Sequence, residues 1–96
     1  MRQVYLVAYD VSDRKRLRRI HQLMKGFGVP VQYSVFRCAL TAMYRVELLE
    51  RLTDEMNHRE DQVLIVDLGP EGGRESQSFT TLGRALPSLK RGPTIL

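Results

Sequence analysis

Asp10 closes a run of β-branched and aromatic residues, Gln3 to Tyr9, and stands just ahead of Ser12 and Asp13. A carboxylate at the end of an interior strand projects from a rigid base into the cleft that the following turn leaves open. One task for it is to hold Mg²⁺, which takes oxygen ligands and is commonly bound by one or two carboxylates, with waters and substrate phosphates. Each chain offers one such Asp, so a two-fold axis near Asp10 is needed to bring two carboxylates to one ion. An ion held there polarises a phosphodiester and acidifies the water that attacks it. Without the ion, two close carboxylates repel and one keeps its proton. The competing task is turn chemistry, because Asp is frequent at strand-to-helix junctions, where it accepts local backbone N–H groups. Ser12 and Asp13 can serve that purpose, but on position alone the turn role keeps the stronger claim.

The second constellation is cationic. Arg14, Lys15, Arg16, Arg18, Arg19 and Lys25 crowd one segment in which Asp13 is the only acid. Cations on the wet face of a helix neutralise phosphates and give salt-sensitive, largely sequence-independent affinity. An ordinary solvated face mixes signs, as Glu47, Glu50, Arg51, Asp54 and Glu55 do further on. The polarity extends along the chain. Residues 1–45 hold nine Lys and Arg against two Asp, and the remainder six against nine acids, for a net charge of +4. Such asymmetry points to a face that meets polyanions.

Other candidates are weaker. Cys38, in an apolar β-prone run, reads as a small core hydrophobe, and a single cysteine excludes an internal disulfide. His21 falls at the edge of an apolar helical stripe and His58 at a helix end, neither with ligands at zinc spacing. Gly69, Gly72 and Gly73 lack the Lys-Ser/Thr and helix of a phosphate-binding loop. The strand around Val63 to Leu68 has no aromatics for stacking bases, unlike an RNA-recognition module.

The frame for these residues follows from periodicity. Residues 3–9 are apolar on both alternating faces, the pattern of an interior strand. Leu17, Ile20, Leu23, Met24 and Phe27 recur at three- and four-residue spacing, predicting a helix over about 13–25 that stops at Gly26 and Gly28. Short strands over 29–32 and 35–40 are joined by a tight reversal near Tyr33 and Ser34. Thr41 caps a second helix reaching about Asn57, with Tyr44, Leu48, Leu49, Leu52 and Met56 as its buried stripe and a Glu47–Arg51 pair outside. Residues 62–68 are the clearest strand, and Ser78–Leu82 is expected to form one more. The order predicts an α+β, ferredoxin-like βαββαβ core over 1–69, with an additional C-terminal strand in a 70–96 loop and extension. The loop around 70–78 is expected to order only within a complex. Two helices cover one sheet face, so apolar residues on the other predict a homodimer of face-packed sheets. The extra strand would then extend the partner's sheet edge. A chain of 96 residues is marginal as a monomer, which argues the same way. No run approaches membrane-spanning length and the N-terminus has no apolar leader, so a cytoplasmic protein is expected.

Three short motifs add to this reading. Tyr9-Asp10-Val11-Ser12-Asp13 matches a Tyr-Asp-hydrophobic-x-Asp signature, Gln32-Tyr33-Ser34-Val35-Phe36 a Gln-x-Ser-Val-Phe segment, and Leu82-Gly83-Arg84-Ala85-Leu86-Pro87 a third, looser one. In this order and at this spacing they make the chain resemble the CRISPR-associated protein two family over nearly its whole length. The resemblance implies a ferredoxin-like homodimer acting in CRISPR adaptation, when new spacers are captured, and bridging dimers of the integrase subunit along the spacer duplex. It also implies a metal-dependent endonuclease acting on RNA or duplex DNA. Asp10 would be the catalytic residue, with Mg²⁺ shared between the Asp10 side chains of the two copies. By the same mapping Tyr9, Ser34 and Phe36 frame the site or contact the second copy. Arg37 stands where the family often has an acid, and as a cation it is expected to join the nucleic-acid-binding set. Two alternatives stay open: a non-catalytic scaffold for duplex DNA, and a toxin-type ribonuclease of the same fold.

Overall fold

The computed structural model describes residues 1–86. Their elements are β1 (Gln3–Asp10), α1 (Arg14–Lys25), β2 (Val29–Gln32), β3 (Val35–Leu40), α2 (Ala42–Glu55) and β4 (Gln62–Pro70), followed by a 3₁₀ turn, Arg74–Gln77. The four strands form one sheet in the order β2-β3-β1-β4, with every neighbouring pair antiparallel. The expected α+β core is therefore present, and β1 is an interior strand with a neighbour on each side.

Alternation along β1 divides its side chains between two environments. Tyr5, Val7 and Tyr9 point towards the helices and join Ile20, Met24, Phe36, Cys38, Leu40, Leu48 and Leu52 in one buried cluster. Val4, Leu6, Ala8 and Asp10 take the other face. Burial pushes the Cys38 thiol up to about 12, although Arg37 opposes the shift, so Cys38 is a packing residue with no thiolate at neutral pH. Gly28 lets β2 approach β3: a Cβ there would overlap the Arg37 carbonyl oxygen and come within 2.6 Å of the Cys38 sulfur.

The helix ends follow from their caps. The Asp13 carboxylate accepts the Arg16 backbone N–H at 2.8 Å and starts α1. The Thr41 hydroxyl accepts the Tyr44 N–H at 3.2 Å and starts α2. Three expectations need correction. Tyr44 is exposed rather than part of the α2 stripe, because that stripe narrows to Leu48 and Leu52 where the helix meets the sheet. Residues 71–77 are ordered within the single chain, since the turn is held to the sheet by Glu75. Ser78–Leu82 forms no strand within the single chain, where it pairs with neither edge strand, β2 or β4. Pro87 and the rest of the extension lie outside the described residues.

The face of the sheet away from the helices is covered unevenly. At one end the 3₁₀ turn packs over it and Val4 is wholly buried. At the other end, where β1 reaches Asp10, Leu64 remains 57% exposed and Val66 38%. Register places these two opposite Ala8 and Leu6. An apolar patch is thus left open beside the carboxylate. No helix among the described residues is long and apolar enough to cross a membrane.

Candidate functional site

Asp10 is exposed at the last position of β1, opposite Gln62 of β4. Its neighbours on either side are fixed. The Tyr9 backbone N–H donates to the Ser34 carbonyl at 3.0 Å, which ties the end of β1 to the β2–β3 turn. The Ser12 N–H donates to Asp61 Oδ1 at 3.3 Å, which ties the following loop to the start of β4.

Asp61 is the hub of this end, and no part of its side chain is exposed. It receives Arg16 Nε at 2.6 Å, Arg16 Nη2 at 3.0 Å and the Asn57 N–H at 2.8 Å. The Arg16 hydrogen bonds, reinforced by those from Asn57 and Ser12, hold the Asp61 carboxyl down at about 2 against the opposing effect of burial. The same bonds drive the Arg16 guanidinium further above its ordinary range. The Asp13 carboxyl also lies below its usual range, chiefly through its bond to the Arg16 backbone.

Several of the cations expected to bind nucleic acid have acidic partners within the chain. Arg16 is committed to Asp61, with Glu60 at 3.2 Å as a further partner, and is structural. Arg37 faces the side away from the helices and forms a two-pronged pair with Glu75, Nη2 lying 3.0 Å from each carboxylate oxygen. It clasps the 3₁₀ turn, so its charge is paired within the chain. Arg19 is shared with Glu55 of α2 at 3.0 Å. Among the described residues Arg14, Lys15, Arg18 and Lys25 have no acidic partner within ion-pair distance. Helical spacing sets Arg14, Arg18 and Lys25 in a row with His21.

Behind Asp10, on the helix side, lies an aromatic group. Phe36 is fully buried, with Tyr9 packed at 6.3 Å between ring centroids and His21 edge-on at 5.4 Å. Phe36 can frame the site but has no surface for a second copy. The Tyr9 hydroxyl shares a 2.9 Å hydrogen bond with His21 Nδ1, and burial pushes its phenol up to about 12, so it stays protonated. Tyr33 stacks on the other side of His21 at 5.9 Å.

The donor set bears on the metal. Among the described residues no three His, Cys, Asp or Glu side chains cluster at ligand spacing. One unpaired, exposed carboxylate suits Mg²⁺, which keeps waters and takes few protein ligands, as an ion shared with a second copy. Sequence reasoning passed over Asp61, Glu75 and Tyr33. Neither carboxylate stands in a motif, and each becomes distinctive only through an arginine 45 or 38 residues away in the chain. Tyr33 did carry a signal, as an aromatic in the tight turn between two short strands.

Residues 2–74 match the family model described as CRISPR associated protein Cas2. The chain is 41% identical over 96 residues to a CRISPR-associated endoribonuclease Cas2 of Geobacter sulfurreducens, covering all of both. It is 38% identical over 92 residues to one of Rhodospirillum rubrum, covering 96% of this chain and 89% of that one. Among solved structures, Cas2 of Streptococcus pyogenes superposes with a TM-score of 0.72 at 33% identity, over 83% of this chain and 99% of that one.

Proposed function

Because the chain belongs to the CRISPR-associated Cas2 family, we propose that it is a Mg²⁺-dependent endonuclease of RNA or DNA that works as a homodimer in spacer acquisition. The observation that carries this reading is the position of Asp10, exposed at the end of β1 on the sheet face where Leu64 and Val66 lie open. Two copies packed through that face would bury the apolar patch and bring their Asp10 carboxylates towards a common axis. The names of the relatives, endoribonucleases, support cleavage of a phosphodiester.

In this reading the carboxylate of Asp10 holds the ion, and the Arg16–Asp61 pair keeps the Asp10–Asp13 loop from moving as substrate arrives. Bound Mg²⁺ supplies positive charge against the negative charge that develops on the phosphodiester. Arg14, Lys15, Arg18 and Lys25 hold the phosphates on either side of the scissile one. The same cations suit a second reading, a non-catalytic scaffold that holds duplex DNA against the integrase subunit. A lone carboxylate per chain favours it, because the scaffold asks no chemistry of Asp10.

Replacing Asp10 with Asn preserves size and removes the charge. The expected result is loss of Mg²⁺-dependent cleavage by at least a hundredfold, with nucleic-acid affinity little changed. Unaltered cleavage by the variant would reject Asp10 as the metal ligand. Absence of cleavage in the wild type, with duplex binding intact, would leave the scaffold.

A further inference from the structure

Tyr33 is 74% exposed, yet its ring is not loose. One side of it lies against His21, with ring centroids 5.9 Å apart and planes within 21° of parallel. His21 is itself held by the Tyr9 hydroxyl at 2.9 Å and by the edge-on contact with Phe36. The stack is therefore rooted in the core, and its outermost ring faces water. A rigid flat aromatic surface offered to solvent gains little for the fold, since the apolar area stays wet. Stacking another planar group on it costs little ordering.

Two surroundings say what that group is. Tyr33, His21 and Gln32 line a cleft of about 1180 Å³ against the segment carrying Thr80 and Thr81. Amide and hydroxyl groups both donate and accept, so they can meet the polar edge of any nucleobase. On the other side runs the row of Arg14, Arg18 and Lys25, spaced so that they lie with His21 along α1. These are cations without acidic partners among the described residues, which is the complement of a phosphate backbone. A phosphate track beside a held aromatic ring is the arrangement by which single strands are bound without sequence preference. A duplex keeps its bases stacked on one another and has none to offer.

We propose that the outer face of Tyr33, backed by His21, is a stacking platform for one unpaired nucleobase of a single strand whose phosphates follow Arg14, Arg18 and Lys25. This rests on the reading of the protein as a nucleic-acid binder and adds a preference for unpaired substrate at the Asp10 end. The platform lies on the helix side, so it stays accessible when copies pair through the open sheet face. Stacking does not discriminate ribose from deoxyribose, and both strands are therefore probes.

The test uses the full chain in EDTA, which holds cleavage in abeyance, and ten-nucleotide strands of RNA and of DNA carrying one central 2-aminopurine, alongside the matching DNA duplex. Wild-type protein should quench the aminopurine in a single strand, in RNA alone or in both. Tyr33→Ala should abolish the quenching and weaken single-strand binding about tenfold, the scale of one lost base–aromatic stack. Tyr33→Phe should restore both, and duplex affinity should move less than twofold in either variant. Quenching and affinity unchanged in Tyr33→Ala would overturn the platform while leaving the nucleic-acid reading intact. Failure of the wild type to bind strand or duplex would remove both. A circular-dichroism melt matching wild type separates loss of the ring from loss of the fold.

Discussion

Three segments meet on one side chain at Asp61: the loop after β1, the first turn of α1 and the end of α2. A buried carboxylate so held must remain charged, and removing its charge leaves the Arg16 guanidinium half-paired in a dry site. Asp61→Asn should therefore lower stability on the order of 3 kcal/mol at neutral pH, read from urea denaturation. The pH dependence has a definite sign. The folded carboxyl titrates at about 2 against an ordinary 3.8, so its contribution is complete above about pH 4 and is lost as pH falls towards 2. The gap between wild type and variant should close over that interval and stay constant above it. Sequence reading found Asp10 and the basic run because both are local patterns. It missed the acidic partners of Arg16 and Arg37 because a cation's partner, when it lies across the fold, leaves no mark on the cation's own neighbourhood.

At the scale of elements, the two helices and four strands were legible because each carries its own period and its own stop. Val4 to Tyr9 alternates as an interior strand does, and Leu17, Ile20 and Met24 make an unbroken stripe for α1. The exceptions are instructive about where local pattern loses force. Tyr44 sits at helical spacing from Leu48 but stays exposed, and Ser78–Leu82 has strand composition yet joins neither free sheet edge, β2 or β4. Close approach of β2 to β3 was not legible either, since Gly28 looked like a helix stop. Its second role makes a prediction: Gly28→Ala forces a methyl group against the Arg37 carbonyl and the Cys38 sulfur. A cost of about 2 kcal/mol and a Tm lower by roughly 10 °C are expected from thermal unfolding. An unchanged Tm would mean that β2 can shift outward freely, and with it the turn that bears Tyr33.

Across the whole molecule the open sheet face is the surface on which the proposed dimer rests. Leu64 and Val66 are large apolar side chains left half in water beside Leu6 and Ala8, while the far end of the same face is closed by the Arg37–Glu75 clasp. Burying two Leu64 side chains, each about half exposed, contributes roughly 2–3 kcal/mol to a dimer. Leu64→Glu also places a charge in the contact. Sedimentation equilibrium should show wild-type dimers and a Leu64→Glu dissociation constant raised at least thirtyfold, with the fold preserved. A variant that dimerises as well as wild type would move the interface elsewhere. The strand order has a further consequence, one of time. Because β1 lies between β3 and β4, the first strand synthesised is also the one that waits longest for its second neighbour. A nascent chain that has emerged through Leu40 can build the β2-β3-β1 half of the sheet, but until Gln62–Pro70 joins it β1 is an edge and Asp10 has no Gln62 opposite it. Closing that loop of some fifty residues is the slow, entropically costly step of the topology. The Asp10 carboxylate is therefore set in place only when nearly the entire core has been made, and a growing chain carries it unframed until then.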